Sequence, residues 1–156
     1  MKIKLLVVGK TTDSLLKSLI LNYKKRIKRY VNFEIIELNV SKFKKAKVSE
    51  IKKKEGIKIL EKISIDDQVF LLDEKGNNYN SIEFAKFVEN KTISHGKSIV
   101  FIIGGAYGFS EEVYFRSKSK ISLSRMTFSH QIIRLFIVEQ LYRAFTIINN
   151  HPYHNQ

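Results

Sequence analysis

Three short segments hold most of the residues whose types could do chemistry. The first ends the run Gln68–Asp73 (QVFLLD) with Leu71 and Leu72. The second is Gly104-Gly105-Ala106-Tyr107-Gly108, directly after the apolar run Ser98–Ile103. The third is Ile121–His130, with Ser122, Leu123, Ser124, Arg125, Met126, Thr127 and Phe128. Glycines allow close backbone approach to a ligand and leave N–H groups free. Small hydroxyls beside Met126 and Phe128 suit a neutral adenosine better than a triphosphate. Each segment alone reads equally as an ordinary turn.

Several other chemistries fail on spacing. Val8-Gly9-Lys10-Thr11-Thr12 imitates the end of a P-loop, but Lys4 stands where the pattern needs its first glycine. Gly104–Gly108 does not fit the dinucleotide spacing, and Leu123 occupies the place of the ribose-binding acid. The chain has no cysteine, so disulfides, thiolate zinc sites and cysteine nucleophiles are excluded. Its four histidines, His95, His130, His151 and His154, form no i,i+4 pair, and no metal site is expected.

The elements that must position these segments alternate between strand and helix. Strands are expected at Ile3–Gly9, Phe33–Val40, Gln68–Asp73, Ser98–Ile103 and Lys120–Leu123. Helices are expected at 14–30, 49–63, 81–93, 110–119 and 129–150. Asp13 reads as an N-cap, and Asn80 with Glu83 as a capping box. Lys75-Gly76-Asn77 is a turn signal. This alternation predicts an α/β fold with a mainly parallel sheet, one domain over residues 1–156. All three segments then fall at carboxyl ends of strands, where open α/β sheets bind ligands. The last helix is apolar around most of its circumference, from Ile132 and Ile133 to Ile147 and Ile148. Such a helix must be covered on most sides. A subunit interface, most simply a two-fold dimer, is one solution; a central core helix is the other.

Charge divides the chain. Residues 1–62 carry 18 Lys and Arg against 6 acids, while residues 63–156 carry 10 against 9, within a total of +13. The densest runs are Lys24–Arg29, Lys42–Lys47 and Lys52–Lys54. Such a field attracts polyanions through counterion release, nucleic acid ahead of an acidic membrane surface. No aromatic-rich stacking motif lies among these runs. The opening apolar run is too short for a secretory signal, and no stretch reaches the roughly 20 apolar residues of a membrane span. A soluble, cytoplasmic protein without membrane association is expected.

Taken together and in order, the motifs resemble the RlmH family of RNA methyltransferases within the SPOUT superfamily. The resemblance rests on LLDEKG at Leu71–Gly76, FIIGGAYGFS at Phe101–Ser110, and SLSRMTFSHQIIRLFIVEQLYRAFTIINNHPYH at Ser122–His154. MKIKLLVVGK at the start and Lys54-Glu55-Gly56 in the second helix add to it, so it spans essentially the whole chain. It implies a SPOUT-type α/β fold with a C-terminal trefoil knot, a homodimer, and S-adenosyl-L-methionine as cofactor. The implied reaction is methylation of N3 of a pseudouridine in 23S rRNA on the assembled ribosome. It also implies cofactor contacts from Leu71, Leu72, Gly104, Gly105, Gly108 and the stretch Leu123, Ser124, Arg125, Met126, Thr127, Phe128. His130, Glu139, Arg143, Tyr153 and His154 match the substrate end. Ser129 stands where the family usually has proline, and Asn155 where many members have a basic residue.

Methyl transfer from a sulfonium needs mainly positioning, plus removal of the imide proton at N3. His154, on a tail expected to be mobile, would orient or deprotonate the base, and Tyr153 would stack on it. Plainer readings stand beside these. The tail is a solvated chain end, His130 packs on the cofactor loop, and Glu139–Arg143 is an ordinary i,i+4 pair. Two other functions remain in view: a non-catalytic ribosome- or RNA-binding protein on the same scaffold, and a methyltransferase for another RNA such as tRNA.

Overall fold

The computed structural model describes residues 1–43, 45–93 and 97–155. His95 and Lys44 fall outside the described residues, so the expectations that touch them are not followed further. In chain order the elements are β1 (Lys2–Val8), α1 (Ser14–Ile27), β2 (Asn32–Leu38), α2 (Val48–Glu61), β3 (Gln68–Asn78), α3 (Ser81–Thr92), β4 (Ile99–Ile103), α4 (Glu111–Arg116), β5 (Ser119–Ser122) and α5 (Ile132–Ile148). A short 3-10 turn, Ser41–Phe43, lies in the basic stretch expected to be loop.

All strand pairs are parallel, in the order β2-β1-β4-β3-β5. The fold is α/β, as expected. Period-two alternation divides β1 between the two faces of the sheet. Ile3, Leu5 and Val7 join a core with Leu16 and Ile20 of α1, Phe84 and Val88 of α3, and Ile137, Val138 and Leu141 of α5. Leu6 and Val8 join a smaller core with Ile59 of α2 and Phe109 and Val113 near α4. The central strand β4 is apolar throughout (Ile99–Ile103) and buried throughout, because both faces are covered. Each such side chain contributes roughly 1.5–3 kcal/mol of burial.

Local signals hold where the chemistry is local. The Asp13 carboxylate accepts from Leu16 N at 2.8 Å. Asn80 and Glu83 form the reciprocal capping box, at 2.9 and 2.8 Å. Several boundaries differ: α1 ends at Ile27 rather than Tyr30, and the helix expected over 110–119 stops at Arg116, with Ser119 already in β5. β3 does not end at Asp73: its register with β5 shifts between Leu72 and Asn77, and Ile121 is opposite both. The turn signal at Lys75-Gly76-Asn77 therefore produces a bulge inside a longer strand. The last helix begins at Ile132 rather than Ser129, although Ser129 Oγ still accepts from Ile132 N at 3.2 Å.

Candidate functional site

Two cavities open side by side above the carboxyl ends of β3, β4 and β5. The first, of ≈ 440 Å³, is lined by Leu72, the Gly104–Gly108 loop, and Leu123, Ser124, Met126, Thr127 and Phe128. The β3 bulge adds Asp73, Glu74 and Lys75 to its rim. The glycine loop is a tight turn closed by Gly108 N donating to Gly105 O at 3.2 Å. Thr127 Oγ1 donates to Glu74 at 2.6 Å, and Tyr114 Oη donates to Asp73 at 3.0 Å. Burial first, and the Asp73 carboxylate second, hold the Tyr114 hydroxyl above its ordinary pKa. The lining is thus apolar surface, small hydroxyls, open backbone and two carboxylates.

Of the residues expected here, Leu71 and Arg125 do not line the cavity. Leu71 is fully buried in the smaller core, because the alternation that sends Leu72 upward sends its neighbour to the other face. Arg125 is exposed. His130 is the reverse case. Grouped by resemblance with the substrate end, it lines this first cavity instead. Partial burial, and then the Arg134 charge, hold its imidazole below the usual histidine range.

The second cavity, ≈ 720 Å³, lies between α1, α3 and α5 and shares Ile121, Leu123, Ser124 and Phe128 with the first. Glu139 and Arg143 face into it. Glu139 Oε1 accepts from Arg143 Nε at 3.1 Å and Nη2 at 2.5 Å, and from Tyr153 Oη at 3.1 Å. Arg143 also lies over the Tyr153 ring, 4.8 Å from its centroid, and its Nη1 is 3.2 Å from His154 Nδ1. A guanidinium can only donate, so His154 Nδ1 accepts and the ring proton sits on Nε2. Burial, followed by the Tyr23 and Glu139 interactions, pushes the Tyr153 hydroxyl far above its ordinary pKa. Glu139, Arg143, Tyr153 and His154 therefore form one network rather than an isolated helical pair.

The tail that carries Tyr153 and His154, expected to be mobile, is docked. His151 N donates to Thr146 O at 2.9 Å, Tyr30 Oη meets His151 Nδ1 at 2.8 Å, and Tyr23 Oη meets Tyr153 Oη at 3.1 Å. Tyr142 adds an edge-on contact to Tyr153.

Sequence reasoning assigned no role to Arg134, which is 1% exposed. Its guanidinium donates to His130 O, Gly9 O, Thr11 Oγ1 and Val8 O at 2.9–3.0 Å. This fork ties the segment entering α5 to the end of β1. The available signal was a single arginine in an otherwise apolar stretch, which must find acceptors once buried. Among the basic runs, the Lys54 and Lys58 ammoniums flank the Phe43 ring at 5.7 and 5.3 Å, an aromatic contact not anticipated from the sequence.

The fold and the cavities at its strand ends define a class. Residues 1–154 match the family described as "Predicted SPOUT methyltransferase", and the chain belongs to that family. Among its relatives, a Flavobacterium johnsoniae protein named ribosomal RNA large subunit methyltransferase H is 48% identical, with 100% of both chains covered. Proteins of the same name from Cytophaga hutchinsonii and Parabacteroides distasonis are 46% and 45% identical, covering 99% and 100% of this chain and 100% of each relative.

Proposed function

We propose that this chain is a single-domain rRNA methyltransferase that moves a methyl group from S-adenosyl-L-methionine to N3 of a pseudouridine in 23S rRNA of the assembled ribosome. The observation that carries this reading is the shared wall. One cavity has the chemistry of a nucleoside site, the next is lined by Glu139 and Arg143, and Ile121, Leu123, Ser124 and Phe128 line both. A methyl donor on one side and a base on the other would meet at that wall.

The donor fits the residues present. Leu72, Met126 and Phe128 offer apolar surface for an adenine, and the Gly104–Gly108 backbone offers donors and acceptors. Asp73 and Glu74 supply negative charge for a cationic ligand. When bound, S-adenosylmethionine supplies an electrophilic methyl on a sulfonium. The chain's own work is to orient donor and base, with the N3 imide proton passing to solvent water. Arg143 sets His154 as an Nε2–H donor, suited to hold a pyrimidine carbonyl. Tyr153 stays protonated at neutral pH, and its one hydroxyl proton goes to Glu139, which fixes the carboxylate beside Arg143. The C-terminal trefoil knot belongs to this reading.

A homodimer is part of the proposal. Leu15, Leu19 and Phe136 are 76%, 50% and 36% exposed on the α1–α5 side, beside the second cavity. A second copy would cover this apolar surface and close the cavity. No described helix is long and apolar enough to cross a membrane. A cytoplasmic place of action follows from the ribosomal substrate. The basic surfaces of α1 and α2 would hold rRNA phosphates.

The decisive assay combines purified protein, labelled S-adenosylmethionine and ribosomes lacking this modification. Label on a 23S pseudouridine, abolished in His154→Ala, is the expected result. Label on tRNA alone would move the substrate. Donor binding without transfer to any RNA would leave a ribosome-binding protein on the same scaffold.

A further inference from the structure

The motif Lys54-Glu55-Gly56 has no place in the site described so far, yet its two buried residues lie directly behind the glycine loop. Glu55 is 6% exposed and Gly56 is buried with it. A Cβ added to Gly105 would stand 2.8 Å from both Glu55 carboxyl oxygens, so the carboxyl lies flat against the Gly105 backbone. A Cβ added to Gly56 would collide with Ser110 Oγ. Consecutive residues of α2 thus touch both ends of the 104–110 loop. Glu55 meets its start, and Gly56 receives its end. Glu55 Oε2 and Ser110 Oγ are also the two buried side-chain polar atoms without a hydrogen-bond partner among the described residues. A carboxyl oxygen held out of solvent is costly to ionise.

The charges around Glu55 do not neutralise it. Lys52 and Lys58 share its helix, but Lys58 is engaged by Asn39 O at 2.6 Å. Glu111 and Glu112 of α4 are exposed, as is Lys10 beyond β1. None of these is in an ion pair with Glu55. Burial raises the Glu55 pKa, so ionisation works against its place beside Gly105.

We propose that Glu55 is a positioning residue for methyl-donor binding: with Gly56 it forms a notch on α2 that seats the Gly104–Ser110 loop in its donor-receiving shape from behind. This rests on reading that loop as the donor site. The seat acts from the face opposite the cavity, since Glu55 does not line it. Glutamine at this position keeps the shape and the neutral state; alanine empties the notch.

The test is calorimetric titration of the full-length protein with S-adenosylhomocysteine at pH 6 and pH 8, for wild type, Glu55→Gln and Glu55→Ala. Variant-to-wild-type ratios are compared so that the ligand's own titration cancels. At pH 6, Glu55→Ala is expected to bind about tenfold more weakly, and Glu55→Gln to match wild type. Raising the pH is expected to move the comparison in favour of Glu55→Gln, because only wild type carries an ionisable carboxyl at that position. Should the alanine variant not fold, the glutamine comparison at two pH values decides alone. Variants equal to wild type at both pH values would overturn the inference, as would equal weakening of both without pH dependence. Absence of wild-type binding would overturn the donor-site reading and this inference with it; wild-type binding with unaltered variants overturns the inference only.

Discussion

The two cavities that meet at Leu123, Ser124 and Phe128 are built from different materials. The smaller is mostly backbone and short side chains at strand ends, held in shape from behind by Glu55 and from the side by Arg134. The larger is lined by two long charged side chains of one helix, Glu139 and Arg143, which Tyr153 and His154 of the tail hold without lining the cavity themselves. The difference teaches what each can tolerate. A backbone-built site is sensitive to added atoms and to the supports beneath it. A side-chain network is sensitive to removal of a charge or a donor, while the fold behind it survives.

The largest effect should come from the support shared by the loop and the core. Arg134→Met removes four hydrogen bonds and leaves the carbonyls of Val8, Gly9 and His130 short of a donor. A loss of about 3–5 kcal/mol in denaturant unfolding is expected. An unchanged midpoint would mean that the fork is not what joins α5 to β1. Next is Gly76→Ala. Its new Cβ would lie 2.6 Å from backbone atoms of Lys120 and Ile121, where neither strand can yield without losing register. About 1–3 kcal/mol of destabilisation should follow. Full stability in chemical denaturation would count against the β3 bulge.

The other region should behave oppositely. Arg143→Ala and Tyr153→Phe are expected to lower methyl transfer about 10- to 100-fold while donor affinity stays within twofold, because neither residue lines the donor cavity. Loss of donor affinity would erase the distinction between the cavities. Replacing Lys52 and Lys53 together with Gln should flatten the salt dependence of ribosome binding, by about one slope unit for each phosphate no longer neutralised. Donor binding measured in parallel should not move.

The smallest effect concerns stability against pH. Burial raises the Glu55 pKa above 4.5. The folded state then resists ionisation that the unfolded chain accepts, so wild type loses stability as pH rises from the unfolded value through the folded one. Glu55→Gln should match wild type at pH 4 and melt modestly higher at pH 8. The reverse order in thermal melts would show that the carboxylate has a partner.

Much of the molecule was legible where causes are local. Short apolar runs between helical patterns located the five strands, and side-chain oxygens at Asp13 and Asn80 set two helix starts. That the glycine loop and the 121–130 segment come together was legible, and both line one cavity, because strand carboxyl ends gather in any parallel sheet. The exclusion of Leu71 was also implicit in the alternation, since its neighbour Leu72 takes the upper face. His130 was harder to place. Its spacing from Glu139 and Arg143 along the chain says nothing of Arg134 drawing its carbonyl toward β1.

The sequence by itself determined the α/β alternation, the caps, the uneven charge and the composition of the loops, since each depends on residues a few positions apart. Only the tertiary structure decided the strand order β2-β1-β4-β3-β5, the return of β3 to β5 after its bulge, the docking of Tyr153 and His154, and the meeting of Glu55 with Gly105. Those contacts join residues far apart in the chain. Their energies come from backbone pairing and burial that exist only once the sheet has closed around them.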